Sequence, residues 1–129
     1  MTGLSVGKAG EDYLEAILIL HRQKGMVRSV DLARYMNYSK PSISHAVKVL
    51  KKQGCLNIDE DGNLHLTDIG KRIAEKIYER HRFFTNALIE AGVEPEAAER
   101  DACRMEHAIS QESFEKLRDA LQDSQEAVN

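Results

Sequence analysis

Between Gly10 and Gln23 the apolar residues Tyr13, Leu14, Ile17, Leu18 and Leu20 recur at helical spacing, and Gly25 closes the run. This pattern predicts a first helix. A short second helix is expected from Ser29, as its N-cap, through Leu32, Ala33 and Met36 to Asn37 and Tyr38. Ser39-Lys40-Pro41 then opens a third. Proline is tolerated in a first helical turn, whose N–H groups have no partner to lose, and Ile43, Ala46, Val47 and Leu50 follow at core spacing until Gly54. The period then changes to alternation. Leu56 and Ile58, then Leu64 and Leu66, flank Asp59-Glu60-Asp61-Gly62-Asn63, where the Asp-Gly pair predicts a tight hairpin. A long fourth helix is expected from Thr67 to Glu90, with Ile69, Ile73, Ile77, Phe84 and Leu88 inward and Gly92 as its stop. Pro95 opens a fifth helix to about His107, and Ser110 caps a sixth to about Leu121, leaving a polar, fraying tail from Gln122.

Short helices joined by a turn and followed by a hairpin make a winged helix-turn-helix. The predicted fold is therefore mainly α. A winged helix-turn-helix domain with a small β-hairpin wing occupies residues 1–72, and an all-helical domain occupies 73–129. A chain of 129 residues has room for one core, or one core with a small appended half.

Composition removes several function classes. No run of about 18 apolar residues exists, so no membrane partner is expected, and Glu11 and Asp12 before Leu14–Leu20 are wrong for the basic flank of a signal peptide. Two cysteines, Cys55 and Cys103, make neither a disulfide framework nor a C-x-x-C motif and suit the reducing cytoplasm. No glycine-rich phosphate loop or G-x-S-x-G elbow is present, so no enzyme is expected.

Charge sharpens the reading only when it is divided along the chain. The formal net charge of -3 argues against a nucleic-acid binder, but His21 to Arg82 holds 13 basic and 7 acidic residues, while the remainder holds 5 basic and 14 acidic. The basic centre contains the predicted helix-turn-helix. In such motifs the second helix enters the major groove by its N-terminal end, here Ser39, Lys40, Pro41, Ser42, Ser44 and His45. Lys48, Lys51 and Arg28 supply cations for phosphates, so double-stranded DNA is the expected partner. The structural reading is a solvated basic face, or a protein-interaction module of the same shape; the local net of +6 favours DNA.

The acidic flanks carry a second signal. Asp12 and Glu15 stand at i, i+3 on the first helix; Cys103, Glu106 and His107 stand at i, i+3, i+4 on the fifth; His81 lies on the fourth. Carboxylate, imidazole and thiolate together suit Mn2+, Fe2+, Co2+ or Zn2+ better than Ca2+. Taken singly, the carboxylates complement a helix dipole, Cys103 fills a core and His81 is an ordinary polar side chain. Spacing alone does not bring the three helices together.

The ordered set Glu11-Asp12-Tyr13-Leu14-Glu15, Ser39-Lys40-Pro41-Ser42-Ile43-Ser44, His81-Arg82 and Asp101-Ala102-Cys103-Arg104-Met105-Glu106-His107-Ala108-Ile109-Ser110 resembles the metal-dependent repressors of the diphtheria-toxin-repressor and manganese-transport-regulator family. The resemblance runs from about Gly10 to Leu121. It implies a homodimer that binds a palindromic operator when metallated and represses metal-uptake genes, with Mn2+ or Fe2+ as the first candidates. It also implies that Asp12, Glu15, His81, Cys103, Glu106 and His107 are ligands. Asp12 and Glu15 are similar to the carboxylates of the manganese branch, whereas Cys103 is similar to the cysteine of the iron branch, so the chain mixes the two. The thiolate keeps Zn2+ and Co2+ in play. A second, ancillary ion would use His81 and Glu99, although Thr85 stands where the iron branch places a glutamate. The short two-domain form, without a further SH3-like domain, is expected. Two other functions compete. One is a winged-helix regulator that senses an organic molecule, with no metal site. The other, a metalloenzyme, ranks lowest because six ligands leave the ion no open position.

Overall fold

A computed structural model describes residues 6–128, with side chains through residue 122. Six helices and one hairpin follow in the order α1 (Gly7–Lys24), α2 (Ser29–Met36), α3 (Lys40–Lys52), β1 (Leu56–Ile58), β2 (Leu64–Leu66), α4 (Asp68–Glu90), α5 (Pro95–Met105) and α6 (Gln111–Val128). The chain divides into two compact units, Met1–Lys76 and Ile77–Asn129. Among the described residues no helix is long and apolar enough to cross a membrane.

In the first unit, α1, α2 and α3 bury Leu14, Ile17, Leu32, Ile43, Val47 and Leu50 with Leu56 and Leu64 of the hairpin. Each buried aliphatic side chain contributes about 1.5–3 kcal/mol relative to exposure. Ser39 caps α3: its Oγ accepts from the Ser42 backbone N–H at 3.3 Å, with Pro41 in the first turn. The helix ends where Gly54, at φ +81°, turns left-handed, so that Cys55 N donates to Leu50 O and Gly54 N to Lys51 O. Ser29 is not the cap of α2. That position belongs to Arg28, whose backbone N–H donates to Asp31 Oδ2 at 2.9 Å, because Asp31 at N3 reaches back where the Ser29 hydroxyl does not.

The strands pair antiparallel, Leu56 opposite Leu66 and Ile58 opposite Leu64. Their turn is longer than a two-residue Asp-Gly connection. Gly62 N donates to Asp59 O and Asp59 N to Asn63 O, and Gly62, at φ +84°, is the third of three loop residues. The Asp59 carboxylate organises this loop by accepting from Asp61 N, Asn63 N and the His65 ring at 2.9, 2.9 and 2.8 Å. The His65 ring and the Asn63 N–H hold the Asp59 carboxyl at about 2, against an ordinary 3.8. A depressed carboxyl stabilises the fold fully above its unfolded value and loses that contribution as pH falls through the folded one. The wing should therefore keep its form above pH 4 and loosen only toward pH 2. Carbon-detected NMR titration of Asp59 checks this, and a midpoint near 3.8 would contradict it.

Thr67 joins the hairpin to α4. Its N–H donates to Cys55 O at 3.1 Å, its hydroxyl donates to Gly54 O at 2.6 Å, and the same oxygen accepts from Gly70 N at 3.2 Å. Gly70 then lies against the Cys55 backbone. This contact sets the phase of α4: Gly70, Ala74 and Ile77 are buried, and Ile69, expected inward, is 46% exposed.

In the second unit, Phe84, Ala102 and Phe114 form a small core flanked by Phe83 and Ile109. The three aromatic rings meet edge to face, with centroids 5.4–5.9 Å apart. Ala98 and Ala102, fully buried, let α5 approach closely. Helix α6 continues to Val128 rather than fraying at Gln122, in keeping with the helix-forming Gln, Glu and Ala residues of that segment.

Candidate metal centre and nucleic-acid face

Helix α3 follows α2 across a short turn and presents Lys40, Pro41, Ser42, Ser44, His45, Lys48 and Lys51 to solvent, while Ile43, Val47 and Leu50 are buried. A helix with one apolar stripe and small polar residues at its start is shaped to lie in a major groove. Two of the expected DNA residues carry structural work as well. Ser39 is the cap, and its hydroxyl also meets Ser42 Oγ at 2.9 Å. Arg28 lies at the base of α2, bridges to Asn63, and donates from its guanidinium to the Asp61 carbonyl of the wing.

Asp12 and Glu15 lie on α1 in the first unit, with Lys8 Nζ 3.2 Å from Asp12 Oδ2. The second unit gathers the other candidates. The Glu106 carboxylate is fully buried. Its Oε2 accepts from His81 Nδ1 at 2.9 Å, and its Oε1 lies 3.3 Å from His107 Nε2 without a hydrogen-bond partner among the described residues. Cys103 Sγ and a Glu106 carboxylate oxygen are within 4.8 Å of each other. His81 Nε2 reaches Glu99 Oε1 at 3.3 Å, joining the two expected members of the ancillary pair. Thr85, one turn along α4 from His81, buries a hydroxyl with no partner among the described residues.

The sequence pattern placed Glu106 and His107 on the fifth helix, but α5 ends at Met105 and Glu106 is its C-cap. The reason lies in Arg80. Its Nη1 donates to the carbonyls of Glu106 at 2.9 Å and Ile109 at 2.7 Å, and its Nη2 to Gln111 Oε1 at 2.8 Å, so the last carbonyls find partners outside the helix. Arg80 was not among the residues that motif spacing selected. Its signal was a basic residue in the apolar stripe Ile73, Ile77, Phe84 of α4. Phe114 is fully buried in the core of its own unit, whereas Ala108 and Leu117 are exposed.

A buried carboxylate facing two imidazoles, with a thiol nearby, fits a divalent transition metal. An imidazole N–H directed at a carboxylate marks a place where a cation can replace the proton, because both groups then offer it lone pairs.

Residues 6–64 match the family described as "Iron dependent repressor, N-terminal DNA binding domain", and residues 67–127 match "Iron dependent repressor, metal binding and dimerisation domain". The chain belongs to the iron-dependent repressor family. Membership carries the coarse function, a metal-responsive DNA-binding transcriptional repressor, and the organic-ligand reading is not favoured. The chain is 36% identical over 108 residues to the transcriptional regulator MntR of Escherichia coli, an alignment covering 84% of this chain and 70% of that protein. Among solved structures, the metal-dependent transcriptional regulator MtsR superposes with a TM-score of 0.81 at 26% identity, covering 88% of this chain. A manganese-dependent transcriptional repressor in complex with manganese superposes with a TM-score of 0.76 at 27% identity, also over 88% of this chain. This chain spans about half the length of those two, 53% and 52%. The relatives named here are transcriptional regulators.

Proposed function

We propose that this repressor binds Mn2+ or Fe2+ through Asp12, Glu15, His81, Cys103, Glu106 and His107, and that the ion switches a cytoplasmic homodimer onto a palindromic operator of metal-uptake genes. Residues 1–72 form the DNA-reading part and 73–129 the part that senses metal and dimerises. The observation that carries the reading is Glu106, fully buried, with one carboxylate oxygen that accepts no hydrogen bond among the described residues. Such a group is costly unless a cation completes its surroundings. When bound, the ion supplies the positive charge that offsets repulsion among the carboxylates. Asp12 and Glu15, one helical turn apart on α1, add hard oxygen donors; Cys103 adds the soft donor that raises affinity for Zn2+ and Co2+. Glu99 and His81 hold an ancillary ion.

In this reading Arg28, Lys48 and Lys51 contact phosphates, and Ser39, Lys40, Pro41, Ser42, Ser44 and His45 face the bases. Lys48→Ala and Lys51→Ala should each lower the slope of log affinity against log salt by about 1. A slope equal to that of the wild type would remove that lysine from the phosphate contacts. The function itself is tested by fluorescence anisotropy on a duplex selected from a random pool with Mn2+ present. Mn2+ or Fe2+ should tighten binding about 5–150-fold. Affinity indifferent to Mn2+, Fe2+, Co2+ and Zn2+ would refute the metal switch.

A further inference from the structure

We infer that Arg80 is a positioning residue for the metal centre: it fixes the turn between α5 and α6 so that Glu106 and His107 present their side chains together. This inference rests on the metal-binding reading above. Helix α5 stops at Met105 and α6 starts at Gln111, so Glu106 to Ser110 lie outside both helices. The Arg80 guanidinium brackets this segment through the carbonyls of Glu106 and Ile109, and its third bond, to Gln111, ties it to the first turn of α6. The next residue on α4, His81, contacts the Glu106 carboxylate. Two consecutive residues therefore hold one ligand, Arg80 by its main chain and His81 by its side chain.

Packing alone is a poor account of this arginine. Arg80 is 9% exposed, and its buried Nε–H has no partner among the described residues. Ile77 and Phe84 on the same stripe show that an apolar side chain suits this face. A guanidinium with one buried donor unsatisfied costs more than such a side chain would. What it adds is geometry: a planar fork that meets three acceptors at fixed spacing, held over the Phe114 ring with its central carbon 5.6 Å from the ring centre. A lysine ammonium is a point donor and does not reproduce that bracket.

The test is Co2+ titration followed by visible absorption, which reports both affinity and ligand geometry, on the full chain and its Arg80→Lys, Gln111→Ala and Glu106→Ala variants, with thermal melting of each without metal. Arg80→Lys should fold yet bind Co2+ about 10–100-fold more weakly, with an altered absorption band, as loss of an outer-shell partner does. Gln111→Ala should shift both readouts the same way by a smaller factor. A folded Arg80→Lys protein with the wild-type isotherm and band overturns the inference. Should Arg80→Lys fail to fold, Gln111→Ala decides alone, and wild-type behaviour there overturns it. The metal-binding reading fails separately, and the inference with it, if the wild type binds no Co2+ or if Glu106→Ala binds as the wild type does.

Discussion

Replacing Glu106 by alanine should abolish the response of DNA binding to metal while leaving the fold intact. Removal of a direct ligand is expected to weaken metal binding by more than about 100-fold, beyond the 10–100-fold typical of outer-shell partners. Stability should move differently. The carboxylate is fully buried and one of its oxygens lacks a donor among the described residues. Deleting the carboxylate removes the cost of burying its charge, but it also leaves a cavity and takes the acceptor from the His81 ring. Glu106→Gln separates the two effects further, since it keeps the volume and removes the charge. Without added metal Glu106→Gln, which can still accept from His81, should melt close to the wild type and Glu106→Ala below it, and neither should respond to Mn2+. Circular dichroism melts and operator titrations measure the two quantities. An alanine variant with a full metal response would place the site elsewhere.

The largest effect expected on stability alone is at Gly70. A Cβ built there overlaps the Cys55 carbonyl oxygen and lies 3.0 Å from its carbonyl carbon. That carbonyl cannot easily give way, because it accepts from Thr67 N, while Thr67 also bonds Gly54 O. Two terms oppose each other in Gly70→Ala. Helix propensity favours alanine by about 1 kcal/mol. Overpacking costs about 1–3 kcal/mol and more where backbone must move. Backbone overlap wins, and a net loss of 1 kcal/mol lowers the melting temperature by about 4–8 °C in a domain of this size. Thermal melting of Gly70→Ala checks the sign; an unchanged or raised midpoint would show that α4 can shift away from the hairpin at no cost.

Several features legible in the sequence rest on local interactions. Ser39-Lys40-Pro41 opening α3, Gly54 and Gly92 ending helices, and Pro95 opening α5 each depend on neighbours within a turn of the chain. The cap of α2 and the length of the hairpin turn differ from expectation for local reasons, since Asp31 and Asp59 take the deciding bonds, whereas the other differences depend on distant partners. Ile69 faces out because Gly70 packs on the Cys55 backbone, 15 positions earlier. Glu106 and His107 leave the helix because Arg80, from α4, takes the carbonyls of Glu106 and Ile109. The same limit applies to the site. Residue types and spacing gave Glu106, His107 and His81 as candidates, but only the fold shows the three side chains meeting within 3.3 Å contacts. The net of -3 combines a basic segment bearing an exposed α3 with acidic flanks bearing every candidate ligand except His81.

The proposed switch couples metal and DNA through one protein. Coupling is reciprocal by thermodynamic necessity, so an ion that tightens DNA binding must itself bind more tightly when DNA is present. The direct measurement is a pair of Mn2+ isotherms, with and without saturating selected duplex. The metal affinity should rise with DNA by the same factor, about 5–150-fold, by which Mn2+ raises DNA affinity. Superimposable isotherms would contradict that coupling.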